Sequence, residues 1–106
     1  MQTDNYINGQ WIKGESGVLN INPSDTRDAI GEFAQASTAQ VEEAIGAAAA
    51  AQQTWQQSGL EARYNVLMAI GTELMDRSAE LGELLCREEG KTLPEGKGEV
   101  YRAGQF

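Results

Sequence analysis

Residue types that perform covalent chemistry are scarce in this chain, which has one cysteine, Cys86, and no histidine. A cysteine becomes a nucleophile only as its thiolate, and that needs a base, a cation or a helix N-terminus beside it. Arg87 adjoins Cys86, but Leu84-Leu85-Cys86 reads as mid-helix, where a small packed side chain is the expectation. Two glycine runs suggest phosphate binding at first sight. Glu89-Gly90-Lys91-Thr92 ends like Gly-x-x-x-x-Gly-Lys-Thr, whose amides cradle phosphate while the lysine neutralises it. Leu85 stands where the first glycine belongs, and the segment follows a helix, so it reads as a helix end and the cap of the next helix. Gly96-Lys97-Gly98 opens like a dinucleotide-binding Gly-x-Gly-x-x-Gly, but Tyr101 replaces the third glycine and no strand precedes it. Glu88, Glu89, Glu95 and Glu99 could be pictured around a hard cation. Lys91 and Lys97 are interspersed among them, so a solvated, charge-mixed surface is expected instead. Asn22-Pro23-Ser24 is no glycosylation acceptor, because proline holds the middle position. The expectation is therefore no catalytic, no cofactor-binding and no metal-ligating residue within 1–106.

What remains is structure, and composition permits it: 41% of the residues are apolar and 23% charged, as in an ordinary folded domain. A formal net charge of −8 would repel a phosphate backbone or an anionic lipid surface, which argues against nucleic-acid and membrane partners. The start, Met1 to Asn5, lacks the basic cluster and apolar run of a targeting segment. No stretch approaches the roughly 20 apolar residues of a membrane span. A lone cysteine cannot form an internal disulfide and fits a reducing compartment. A cytoplasmic protein is expected.

Residues 1–36 read as short strands and turns. Asn8-Gly9, between Tyr6-Ile7 and Gln10-Trp11-Ile12, is the preferred pair for a two-residue type I′ hairpin, since both positions need positive φ. Val18 to Ile21 reads as another strand, stopped by Asn22-Pro23-Ser24-Asp25, and a further strand is expected at Ala29 to Ala34. From Ser37 the period becomes helical. Capping boxes are expected at Ser37/Gln40, Ser58/Glu61 and Thr92/Glu95, with Ser78 capping a shorter helix that Gly90 ends. Pro94 stands early in the last helix, where a missing amide hydrogen costs little. Val41, Ala44, Ile45, Ala48 and Trp55 share one helical face, as do Leu60, Tyr64, Leu67, Met68, Gly71, Leu74 and Met75. Val100, Ala103 and Phe106 still trace an apolar stripe at the end of the chain, with no stop signal closing their helix. The expected class is α+β: a short hairpin and strands, then about four helices over 37–106, with apolar faces shaped for segments beyond Phe106.

In order along nearly the whole chain, these features resemble the amino-terminal region of the aldehyde dehydrogenase superfamily. Tyr6-Ile7-Asn8-Gly9-Gln10-Trp11 looks like that family's opening hairpin. Asn22-Pro23 followed by Ile30-Gly31 is similar to its Asn-Pro-x-x-Gly-x-x-Ile-Gly passage, although Thr26-Arg27-Asp28 replaces the glycine-containing turn. Ser37 to Ala48 resembles the capped, alanine-rich helix; Trp55 and Arg63 stand where the family often has those types; and Glu88-Glu89-Gly90-Lys91 matches its Glu-x-Gly-Lys turn. The run Glu88 to Gly96 looks most like members that oxidise dicarboxylic semialdehydes, especially 2-oxoglutarate semialdehyde.

The resemblance implies a parent enzyme of α/β fold that uses NAD or NADP, in which a cysteine thiolate attacks the aldehyde and an asparagine and backbone amides hold the oxyanion. A glutamate then acts as general base in hydrolysing the thioester. In the family those residues all follow the region matched here, so none is carried over to this sequence. Residues 1–106 would be the amino-terminal part of the cofactor-binding domain, inactive alone. Their partner would be the remainder of a homo-oligomeric dehydrogenase. The alternative from another class is a stand-alone helical module that receives a partner helix in an apolar groove.

Overall fold

The structure is a computed structural model and describes residues 3–106. Four strands, β1 (Asn5–Ile7), β2 (Gln10–Ile12), β3 (Ser16–Ile21) and β4 (Ala29–Gln35), precede four helices. The helices are α1 (Thr38–Gln57), α2 (Gly59–Asp76), α3 (Ser78–Glu89) and α4 (Leu93–Gln105). The α+β class, the hairpin and the number of helices are as the sequence implied. The chain divides into two compact units, one made of Gly31–Ser58 with the residues up to Asn20, the other of Ile21–Ile30 and Gly59–Phe106.

In the first unit β1 and β2 pair antiparallel, with Ile7 opposite Gln10 and Tyr6 opposite Trp11. The turn between them has Asn8 at φ 50° and Gly9 at φ 79°. Both positions are thus left-handed, as a type I′ hairpin requires, and Asn tolerates that region because its side chain can bond locally. The hairpin buries Ile7 to 6% exposure. The Tyr6 and Trp11 rings tilt against each other at 4.8 Å between centroids. β3 pairs with β4 in a separate two-stranded sheet. The bond from Glu15 N to Gln35 O (2.8 Å) marks the open end of that sheet.

The α1 start follows the expected box: Ser37 Oγ accepts from Gln40 N (3.2 Å) and Gln40 Oε1 accepts from Ser37 N (3.0 Å). Such a cap is worth about 1 kcal/mol. Gln40 also donates from Nε2 to Lys13 O at 2.8 Å, which ties the cap to the segment between β2 and β3. The predicted apolar face of α1 stays open, with Ile45 65% and Val41 47% exposed.

Two expected caps take a different form. Ser58 closes α1 instead of opening α2: its hydroxyl donates to Trp55 O at 2.7 Å, and its amide also reaches Trp55 O. A serine hydroxyl competes for the nearest free carbonyl, and the last turn of α1 offers one. Ser78 is the first residue of α3, whose cap position is Arg77 without a side-chain hydrogen bond. Gly90 ends α3 as foreseen, at φ 73°, with its amide bonded to Cys86 O (2.8 Å).

In the second unit α3 and α4 pack on each other and α2 packs on α4. Glycines set how closely the helices approach. A Cβ built on Gly82 would lie 2.6 Å from Lys97 Cα, and one on Gly96 would lie 2.5 Å from Gly82 O. Gly71 and Gly104 meet in the same way, each ideal Cβ falling 2.6 Å from the other residue's carbonyl oxygen. A larger residue at any of these positions would force the facing helix to shift. Among the described residues Ile7 and Ile30 are the buried large apolar side chains; Leu60, Leu67 and Ile70 on α2 are more than half exposed.

Candidate functional site

Cys86, Lys91, Thr92 and Glu95, which the sequence marks for possible chemistry, have structural partners. The Cys86 Sγ lies 3.0 Å from Thr92 O, in hydrogen-bonding reach of that carbonyl. It faces Gly96, where a Cβ would come within 2.5 Å of the sulfur. The thiol therefore fills the crossing between α3 and α4, as a packed cysteine does.

Gly90-Lys91-Thr92 forms no phosphate cradle. Gly90 is the left-handed end of α3, and Thr92 caps α4 through a box in which Glu95 Oε2 accepts from Thr92 N (3.0 Å) and Thr92 Oγ1 (2.6 Å). These bonds hold the Glu95 carboxyl below its ordinary pKa, the Thr92 hydroxyl contributing most. Lys91 is spent on carboxylates, with Nζ 2.6 Å from Glu89 Oε2 and 2.7 Å from Glu99 Oε1. Its pKa is raised, first by Glu89 and then by Glu99. Gly96-Lys97-Gly98 lies within α4 and not in a loop after a strand, so its amides belong to a helix and cannot wrap a pyrophosphate.

Of the acidic residues of this region, Glu95 serves a cap and Glu89 and Glu99 a lysine bridge. Among the described residues no group of three or more Cys, Asp or Glu is placed to hold a metal ion.

The turn after β3 carries an interaction that the sequence reading did not find. Arg87, on the last turn of α3, grips Asp28 in a fork: Nε to Oδ2 at 2.9 Å and Nη2 to Oδ1 at 2.6 Å. Asn22 Nδ2 adds a third bond to Oδ2 at 3.1 Å, and Asn22 N donates to Asp28 O at 3.0 Å. Three donors favour the ionised form, and the Asp28 pKa falls to about 2, chiefly through Arg87 and then Asn22. Pro23 and Ser24 lie against Gly90, so the same turn covers the end of α3. The pair is 59 residues apart in sequence and follows no local spacing rule, so nothing short of the fold announces it.

One concavity of the second unit has a mostly apolar lining. It is a groove of about 320 Å³ between α2 and the end of α4, bounded by Tyr64, Leu67, Met68, Met75, Ala103 and Phe106 among others, none of them charged. It offers a surface on which carbon can be buried, with Tyr64 and Thr72 its hydroxyl-bearing residues and no charged side chain in its lining.

The sequence model of the aldehyde dehydrogenase family matches residues 11–106. The chain is 36% identical over 101 residues to an alpha-ketoglutarate semialdehyde dehydrogenase of Haloferax volcanii, a match covering 93% of this chain and 21% of the relative. It is 41% identical to an alpha-ketoglutaric semialdehyde dehydrogenase of Bacillus subtilis, covering 92% and 20%. Relatives at 38% identity are an N-succinylglutamate 5-semialdehyde dehydrogenase of Chromobacterium violaceum, covering 90% of this chain and 20% of the relative, and a malonate-semialdehyde dehydrogenase of Bacillus pumilus, covering 92% and 20%. In structure, the chain superposes with a TM-score of 0.91 and 34% identity on an NAD-dependent benzaldehyde dehydrogenase from Corynebacterium glutamicum, covering 99% of this chain and 23% of that one. The four helices and two strand pairs correspond to the amino-terminal part of that fold. The chain spans about a fifth of the length of the curated relatives it matches. With residues 11–106 matched by its model, the chain belongs to the aldehyde dehydrogenase family.

Proposed function

We propose that this polypeptide serves as the amino-terminal part of the cofactor-binding domain of an NAD(P)-dependent aldehyde dehydrogenase, and that its own role is structural. The observation that carries the reading is the family match through residues 11–106, which spans about a fifth of the relatives' length, together with the structural roles that Cys86, Lys91 and Glu95 already fill. Cys86 is packed, Lys91 is bridged by two carboxylates, and the groove beside α2 is uncharged. Such a piece can shape and support a catalytic centre, and its one cysteine is engaged in packing.

The reaction proposed for the whole enzyme is oxidation of an aldehyde to a carboxylate with NAD or NADP. The substrate proposed is a dicarboxylic semialdehyde of the 2-oxoglutarate semialdehyde type, because two relatives that match at 36% and 41% identity bear that name. The names at 38% identity specify other semialdehydes, so the match supports semialdehydes as a class more strongly than any one of them. We place the enzyme in the cytoplasm as a homo-oligomer.

The test is to express the whole product of the gene and follow NAD(P)H formation with 2-oxoglutarate semialdehyde, malonate semialdehyde and an apolar aldehyde. Preference for the 2-oxoglutarate compound supports both levels of the proposal. Preference for another aldehyde overturns the substrate, and failure to reduce either nicotinamide overturns the activity.

A further inference from the structure

The hairpin turn that Asn8-Gly9 forms has a chemical consequence independent of any dehydrogenase reading. An asparagine side chain can be attacked by the backbone nitrogen of the following residue, and three conditions govern that step: the nitrogen must be a secondary amide able to lose its proton, it must be unobstructed, and it must be uncommitted to other bonds. The chain has five asparagines, and their successors differ decisively. Asn22 precedes proline, whose nitrogen has no hydrogen to lose. Asn5, Asn20 and Asn65 precede Tyr6, Ile21 and Val66, bulky side chains that crowd the approach. Asn65 and Val66 also lie inside α2, where amides are engaged in the helix ladder.

Asn8 alone precedes glycine. The structure places the pair outside the β1–β2 ladder, whose last pairing is Ile7 with Gln10. Asn8 and Gly9 are both exposed. A Cβ built on Gly9 would meet nothing within 4 Å beyond its chain neighbours, so no other element packs on that side of the turn.

We propose that Asn8-Gly9 is a modification site at which the chain deamidates spontaneously through a succinimide. Base removes the Gly9 amide proton and the nitrogen bonds to Asn8 Cγ. The tetrahedral adduct takes up a proton and expels the side-chain nitrogen as ammonia, leaving a five-membered imide. Water then adds to either imide carbonyl and breaks one C–N bond, giving an aspartyl or an isoaspartyl linkage at position 8. No oxidant, metal or enzyme takes part. The product carries one negative charge beyond the formal −8. In its isoaspartyl form the turn also gains a backbone carbon, which a two-residue type I′ loop has no room to absorb without changing register. The register at risk is the one that buries Ile7 and sets Tyr6 against Trp11.

The experiment is to hold the full chain at mildly alkaline pH under native conditions and follow it by peptide mapping, beside a short peptide spanning the same turn. Loss of the amide at position 8, with Asn5, Asn20 and Asn65 intact, is expected. Hydroxylamine should cleave the aged chain between positions 8 and 9 by trapping the imide. A Gly9→Ala variant should slow the loss, and because its positive φ could disturb the turn, the comparison among asparagines within the unaltered chain is the primary readout. Retention of the position 8 amide in the folded chain while the peptide loses it would overturn the proposal, as would equal loss at position 65.

Discussion

Replacing Gly96 by alanine and, separately, Gly98 by alanine asks whether the crossing of α3 and α4 is as close as the structure shows. Both positions lie in α4, two residues apart, so exchange of glycine for alanine raises helix propensity equally, by about 0.8–1 kcal/mol. At Gly98 a new Cβ meets nothing within 4 Å, and the whole gain should appear as added stability. At Gly96 the Cβ would lie 2.5 Å from Cys86 Sγ and 2.5 Å from Gly82 O, roughly an ångström inside an ordinary contact. The sulfur can turn away, but a helix carbonyl yields only if α3 moves. Overpacking of this kind costs about 1–3 kcal/mol, so the propensity gain is outweighed and Gly96→Ala should lose about 1 kcal/mol net. Urea unfolding followed by circular dichroism reads both variants against the unaltered chain. The midpoint should rise for Gly98→Ala and fall for Gly96→Ala at unchanged slope. If the two alanines stabilise equally, the close crossing is refuted.

Two further expectations rest on the turn that holds the end of α3. Gly90→Ala should destabilise by about 1–2 kcal/mol, the cost of a left-handed residue with a side chain, checked by the same unfolding assay. Asp28 has its pKa lowered from 3.8 to about 2, so its bonds to Arg87 and Asn22 contribute stability that is complete above the ordinary value and is lost as pH falls through about 2. NMR titration of the Asp28 carboxyl should show that depressed midpoint, and Asp28→Asn should remove part of the stability change between the two values; an ordinary midpoint near 3.8 would contradict the fork.

Local chemistry was the legible part of the sequence. Asn8-Gly9 specified its own turn, Ser37/Gln40 and Thr92/Glu95 their caps, and Gly90 the end of α3, because each depends on residues within three or four positions. The two caps that came out differently show the limit of that reasoning. Ser58 has the right spacing from Glu61, but its hydroxyl bonds to the carbonyl that the end of α1 leaves free, and Ser78 falls one residue inside α3. Long-range partners were not legible: Asp28 and Arg87 meet only because the turn folds onto α3, and Gly82 and Gly96 become neighbours only when two helices cross. Gly96 had been noticed for a dinucleotide motif, whereas its actual use is to admit a backbone at close range. The apolar faces were foreseen, and α2 in particular leaves its face open in the structure.

The central claim is that residues 1–106 supply neither catalytic nor nicotinamide-binding residues within a dehydrogenase family. Calorimetric titration of the 106-residue chain with NAD⁺ and NADP⁺, followed by an aldehyde-oxidation assay on the same sample, tests it most directly. No heat of binding in the micromolar range and no NAD(P)H formation is the predicted result. A saturable micromolar site for either nicotinamide, or turnover of a semialdehyde by this chain alone, would contradict it.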